Sequence, residues 1–174
     1  MSESINKLND DLFNADDSSP AIDAKKTATA ARKKAMDCLA RREYGREELV
    51  GRLKGAGFEA DLADSTVATL TEEGLQNDAR FAAAFARSKL GRGAGPLRIN
   101  QALLEKGLPE SVAAAALSEL EADWCEQARQ VRLKKYGLGS PADFKEKARQ
   151  MRFLQYRGFS FEQINAAMDA AEPQ

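Results

Sequence analysis

Histidine is absent from this 174-residue chain. Imidazole general bases, Ser–His–Asp constellations and His-ligated zinc are thereby excluded. Cysteine is almost absent too. Cys38 and Cys125 stand far apart with no CxxC or other ligand spacing, and read as free thiols of a reducing compartment rather than a disulfide or a metal site. Aromatic residues are few as well, at 7% of the chain, while alanine is plentiful. No apolar run approaches the roughly twenty residues of a membrane span. The opening MSESINKLNDD is no signal peptide, and a cytoplasmic protein is expected. Alternating β-branched stretches are missing as well, which argues against a sheet.

What the chain does contain is a pattern returning at a spacing of about fifty residues. It centres on Gly57-Phe58, Gly107-Leu108 and Gly158-Phe159. Leu49, Leu53, Gly57, Leu62, Val67 and Leu70 answer position for position to Ile99, Leu103, Gly107, Val112, Leu117 and Leu120. The third copy is looser: Leu154 and Met168 keep register, while Ile164 falls one place late. A period of this length is the signature of a helical repeat array, in which each unit buries its apolar face on a neighbour.

The expected fold is all-α, with three tandem three-helix repeats in a curved, elongated array. Residues 1–28 read as a disordered acidic tail, 29–76 as the first repeat, 77–122 as the second and 123–174 as the third. In the first, the periodicity predicts helices over about 30–43, 46–56 and 60–73, with Gly57 suited to a left-handed C-terminal turn. In the second, Asn77 or Asp78 is placed to cap a helix that puts Phe81, Phe85 and Ser88 on one face. Pro96 and Pro109 open the next two helices, where a missing N–H is harmless. In the third, Ser140 and Ser160 each begin a capping-box spacing, and Phe144, Ala148 and Met151 read as a core stripe. Trp124 is expected to pack between the second and third units. Phe81, Phe85, Phe153 and Phe159 fit core positions rather than base-stacking ones.

A formal net charge of −1 conceals opposed segments. The acidic tail carries Glu3, Asp10, Asp11, Asp16, Asp17 and Asp23. Residues 24–55 hold ten basic groups against four acidic, whereas 56–77 hold five acidic and no basic groups. The alternation repeats: 78–106 and 127–157 are basic, 107–126 and 158–174 acidic. The first two helices of each unit are thus cationic and the third anionic. Stacked units would align these into two stripes, the basic one suited to a polyanion or an acidic protein surface. Charges alternating in this way can equally neutralise one another across helix contacts.

The run Leu90-Gly91-Arg92-Gly93-Ala94-Gly95-Pro96 invites a phosphate-loop reading, which its context rejects. It follows a helix instead of a strand and lacks the Gly-Lys-Ser/Thr continuation, so a flexible basic joint is expected. The pairs Glu47-Glu48 and Glu72-Glu73 have no companion base or ligand and read as solvated faces. No residue set presents itself as an active site, and no cofactor or metal is expected.

Several strings in order carry a family resemblance. They are Leu39-Ala40-Arg41-Arg42-Glu43-Tyr44 with Glu48-Leu49 and Gly57-Phe58; Gly74-Leu75 with Asp78-Ala79-Arg80-Phe81-Ala82; Gly95-Pro96-Leu97-Arg98-Ile99 with Lys106-Gly107-Leu108; and Arg152-Phe153-Leu154 with Arg157-Gly158-Phe159. Over about residues 30–170 they resemble the RecX family of bacterial regulatory proteins. Gly45 departs from it, standing where a capping Ser is usual, and so does Ala102, where Glu is common; the acidic tail is an addition. The resemblance implies a non-enzymatic monomer that binds the RecA–single-stranded DNA filament. It would restrain strand exchange, ATP hydrolysis and co-protease activity in DNA repair and the SOS response.

The basic stripe supplies the expected contact residues for the RecA filament or for single- or double-stranded DNA. They are Arg41, Arg42, Arg46 and Arg52 in the first unit, Arg80, Arg87, Lys89, Arg92 and Arg98 in the second, and Arg149, Arg152 and Arg157 in the third. Two other classes stay open at this point, a stand-alone nucleic-acid-binding protein and a generic helical adaptor.

Overall fold

The structure, a computed structural model, describes residues 20–169, with side chains from residue 24 onward. Residues 1–19 of the acidic tail lie outside the described residues. Residues 20–28 belong instead to the first helix, which begins at Pro20, a residue tolerated in a first helical turn.

Nine helices and no strand are found among the described residues: α1 Pro20–Leu39, α2 Arg46–Gly55, α3 Ala60–Glu72, α4 Asp78–Gly91, α5 Pro96–Leu104, α6 Glu110–Ser118, α7 Trp124–Tyr136, α8 Phe144–Arg157 and α9 Phe161–Asp169. Every closely packed helix pair lies inside one of the triplets α1–α3, α4–α6 and α7–α9. Each triplet buries its own core. Leu49, Leu53, Val67 and Leu70 meet Ala35 and Tyr44 in the first, and Ile99, Leu103 and Leu108 meet Phe81, Ala113 and Ala116 in the second. Leu154, Phe159, Ile164 and Met168 meet Ala128 and Ala167 in the third. Trp124 packs against both the second and third cores, as the sequence predicts.

The repeated glycines show why the period exists. Gly57, Gly107 and Gly158 all take positive φ (93°, 78° and 91°), a region that disfavours any side chain with a Cβ. In each case the following N–H donates back to the second helix of its unit: Phe58 to Leu53 O, Leu108 to Leu103 O and Phe159 to Leu154 O, at 3.2–3.3 Å. This closure satisfies orphan carbonyls and folds the third helix back on the second, carrying Phe58, Leu108 and Phe159 inward.

Local signals resolve in detail. Asn77, rather than Asp78, caps α4 by accepting from Arg80 N at 3.0 Å. Ser160 and Gln163 form the reciprocal capping box of α9. The cap of α8 is Asp143, which accepts from Glu146 N at 2.7 Å, so the box expected to start at Ser140 is displaced by three residues. Phe144 is a correction: as the first residue of α8 it is 85% exposed, while Ala148 is half-buried and Met151 packs against the third core.

A cationic groove at the joint of the second and third units

Two joints link the triplets, and each places the N-terminus of a second helix against the glycine turn of the next unit. At the later joint, Gly95 caps α5 and lies against the backbone of Gly158; a Cβ on Gly95 would collide with the Gly158 carbonyl. Gly95 N donates to Arg157 O at 2.8 Å and Leu97 N to Gly158 O at 3.1 Å. Side chains add Arg98 Nη1 to Tyr156 O (3.1 Å) and Arg157 Nη1 to Arg92 O (3.0 Å). The glycine-rich run 91–95, expected to be a flexible joint, is thus corrected. Its glycines allow close backbone approach, and a Cβ on Gly93 would also press on Val131 at 2.9 Å.

Above this joint opens a groove of about 870 Å³ between the C-terminal half of α4, the turn after it, α7 and the end of α8. The face of α7 turned to it reads Gln127, Gln130, Val131, Lys134 and Lys135, one helical stripe, while Ala128 and Arg132 turn inward. Arg87 and Arg92 line the opposite wall, and Phe153 and Arg157 line it from α8. A second hollow of about 400 Å³ continues past Arg92 and Arg157 to Lys89, Arg98 and Tyr156. Among the described residues, these two hollows are lined by Arg87, Lys89, Arg92, Arg98, Lys134, Lys135 and Arg157, and by no carboxylate.

Aromatic rings hold the cations in place. Lys135 Nζ stands 3.9 Å from the Phe153 centroid and the Arg157 guanidinium 5.2 Å, with Tyr136 packed edge-on to the same ring at 5.6 Å. Arg98 lies 4.9 Å over Tyr156, and Lys89 lies 5.1 Å over Phe85. Each such contact contributes roughly 0.5–1 kcal/mol at an exposed site and leaves the charge available to a ligand. Phe85 and Phe153 are half-buried and pack against the second and third cores, while Phe81 and Phe159 are buried within them, so all four keep the core positions expected.

The earlier joint is built with the same plan and different chemistry. Gly45 caps α2 against the Phe81 ring, and Glu47 lies on the Gly107 turn. Asp78 Oδ1 accepts from Arg46 N at 2.8 Å, and the buried Gln76 bridges Tyr44 O and Asp78 Oδ1. A third hollow, of about 400 Å³, shares Lys89 and Arg92 with the groove and runs to Arg42 and Lys106, but here Glu43 and Glu48 line it too. Arg42 reaches Glu48 at 2.6 Å while stacking 3.6 Å over Tyr44, and Lys106 reaches the same carboxylate at 3.7 Å. Burial alone would raise the Glu48 pKa. The hydrogen bond from Arg42, with the charges of Arg42, Lys106 and Arg52, outweighs it and holds the group below the usual carboxylate range. Glu48, expected as part of a solvated face, is thus half-buried and paired; Glu73 likewise pairs with Arg32 at 2.6 Å.

The structure consequently sorts the cations singled out from sequence. Arg87, Lys89, Arg92, Arg98 and Arg157 converge on the groove. Arg42 and Arg80 are tied to carboxylates at the first joint; Arg80 bonds Glu43 at 3.0 Å and also donates to Gly74 O and Leu75 O. Arg149 pairs with Glu146, and Arg152 donates to Ala148 O within its own helix. Arg41 and Arg52 are exposed on the first unit, and Arg46 lines a separate small hollow with Lys54 and Asp64. Lys134 and Lys135 join the groove without having been singled out, and Lys106, also not singled out, lines the third hollow beside Glu48. The signal for the lysine pair was the polar stripe Gln127, Gln130, Lys134 on α7.

A scaffold of three helical triplets with an open cationic groove belongs to the class of all-α helical-repeat proteins. The described residues contain no cluster of potential ligands able to hold a metal ion, and no helix long and apolar enough to cross a membrane. Comparison with known proteins narrows the class. Residues 77–117 match the family model for the second three-helix domain of RecX, and residues 121–168 match that for the third. The regulatory protein RecX of Halorhodospira halophila is 42% identical over 150 residues, covering 86% of this chain and 93% of that protein. The RecX of Pseudomonas fluorescens is 42% identical over 139 residues, covering 80% and 90%. A crystal structure of RecX from Lactobacillus salivarius shares the fold, with a TM-score of 0.70 at 20% identity over 84% of this chain and 97% of that one. The chain belongs to the RecX family.

Proposed function

We propose that the protein is a negative regulator of the RecA recombinase. It binds the RecA–single-stranded DNA filament as a cytoplasmic monomer and lowers strand exchange, ATP hydrolysis and co-protease activity in DNA repair and the SOS response. Family membership carries this reading. The groove supports it with a surface of suitable chemistry: seven cations and no carboxylate among the described residues of two adjoining hollows.

Uncompensated cations in a concave wall focus potential and draw in phosphates or acidic side chains. A filament repeats its sites, so the groove and the exposed cations of the first unit can engage it together, and effective concentration amplifies weak contacts. Substoichiometric protein added to RecA on single-stranded DNA should therefore suppress ATP hydrolysis well before DNA is titrated. Inhibition only at ratios that coat the DNA would favour the second reading, direct nucleic-acid binding. That reading draws on exposed Tyr156 beside Arg98 and on the absence of carboxylates in the groove. Its mark is DNA affinity without RecA that falls with salt, by about 0.7 log units per log unit of salt for each phosphate neutralised. No effect on RecA or DNA would leave a helical adaptor for another protein.

A further inference from the structure

Lys89, Arg92, Arg98, Lys135 and Arg157 line the smaller hollow at the second joint, and two aromatic rings stand among them, Phe153 and Tyr156. The rings differ in what they have left to offer a ligand. Phe153 is half-buried and already occupied: Lys135 and Arg157 stand over it, and Tyr136 meets it edge-on. Tyr156 is 75% exposed, and among the described residues the cation over its ring is Arg98, 4.9 Å from the centroid. The exposed ring is nevertheless held. Arg98 Nη1 donates to the Tyr156 carbonyl at 3.1 Å, so one guanidinium ties the backbone and covers one ring face. Two residues further on, the Gly158 carbonyl accepts from Leu97 N, which fixes the turn that follows. A tyrosine that served only to pack this joint would be buried by it; this one gives most of its surface to solvent.

Cations without carboxylates and an open aromatic face in one hollow call for a polyanion that carries flat rings. A single nucleic-acid strand supplies both, phosphates for the cations and a base for the ring. A duplex supplies phosphates alone, because its bases are stacked on one another. An acidic protein surface supplies charge but no regular flat partner. The larger hollow shares Arg92, Lys135, Phe153 and Arg157 with the smaller one, so the cationic wall runs on from Tyr156 to Arg87 and Lys134.

We infer that Tyr156 is a base-stacking platform at the edge of the groove, and that it makes the groove select single-stranded over double-stranded nucleic acid. The inference rests on the reading in which the groove contacts nucleic acid directly, and adds to it the means of discrimination. Arg98 on the covered face sets the plane of the ring in advance, so little side-chain freedom is lost when a base arrives on the other.

The test measures binding of the full-length chain, without RecA, to a fluorescent oligothymidine strand, to the same backbone lacking its bases, and to a duplex. Tyr156→Ala should weaken binding to the strand at least about fivefold, the smaller end of what one stacked base contributes. Tyr156→Phe keeps the flat face and should stay within about twofold of wild type. On the base-free backbone and the duplex, Tyr156→Ala should change affinity by less than about twofold, and its salt slope on the strand should match wild type, since no phosphate contact is removed. The Arg98 hydrogen bond goes to a backbone carbonyl and survives either substitution. Equal loss on all three ligands would make Tyr156 a prop for Arg98 and overturn the inference; so would undiminished strand affinity in Tyr156→Ala. Both results leave direct nucleic-acid binding by the groove standing. That reading fails, and takes this inference with it, if the combined Arg87→Glu, Lys134→Glu and Lys135→Glu variant binds the strand as wild type does. It fails too if polyglutamate displaces the strand as readily as unlabelled strand does, which would assign the groove to an acidic protein surface.

Discussion

The two joints of the array solve one mechanical problem in two chemistries. Both set the capped start of a second helix, at Gly45 or Gly95, on the next unit's glycine turn, at Gly107 or Gly158. The first fills the contact with carboxylates, and its cations are neutralised on the spot. The second uses backbone carbonyls, so Arg98 and Arg157 are positioned by partners that carry no formal charge. A carbonyl orients a guanidinium as firmly as many exposed carboxylates do and leaves its net charge intact. The difference in free charge between the joints follows from that choice of acceptor.

The sharpest way to break the comparison is at the capping glycines. Gly95→Ala would drive a methyl into the Gly158 backbone, which has nowhere to go, and should destabilise by about 2–3 kcal/mol. Gly45→Ala meets only the Phe81 ring, at 3.0 Å, and should cost below about 1 kcal/mol. Thermal or urea unfolding of the two variants decides the matter; equal losses would mean the joints are not built differently.

Charge reversal sharpens the same contrast with a smaller structural effect. Arg42→Glu breaks the Glu48 contact at the first joint and should lower stability by about 1 kcal/mol. Arg87→Glu in the groove should change stability by less than about 0.5 kcal/mol. Melting curves with filament inhibition measured on the same samples separate them: the first variant should lose stability, the second inhibition.

Acid gives the mildest test. The folded-state pKa of Glu48 lies below its ordinary value, so its stabilisation is present above the unfolded pKa and is lost as pH falls through the folded one. The first joint should loosen in acid, while the carbonyl-held second joint has no such group. The melting-temperature gap between wild type and Glu48→Gln should narrow below the usual carboxylate range, and a constant gap would contradict the assignment.

Much of this fold was written in local pattern. The three glycine turns, Pro96 at a helix start, the Ser160–Gln163 box and the two-core packing of Trp124 are all consequences of neighbours within a few residues or of the repeat itself. Misses came where one pattern admits two geometries. Phe144 has core spacing yet stands exposed at a helix start, and Asp143 outcompetes Ser140 as a cap from three residues away. The site was less legible. Whether an arginine is spent on a carboxylate depends on residues tens of positions away, as Arg80 and Glu43 illustrate. Nothing local to Arg92 or Lys135 indicates that α4 and α7 converge around them.

The proposed function places the main grip on the filament in the groove at the second joint, with the first unit contributing less. The direct test compares Arg87→Glu, Lys134→Glu and Lys135→Glu combined with the reversal of Arg41, Arg46 and Arg52 on the first unit, at matched stability. Inhibition of RecA ATP hydrolysis on single-stranded DNA is the readout. At least a tenfold loss for the groove triple and under threefold for the other is the expected result; equal losses, or the reverse order, would contradict it.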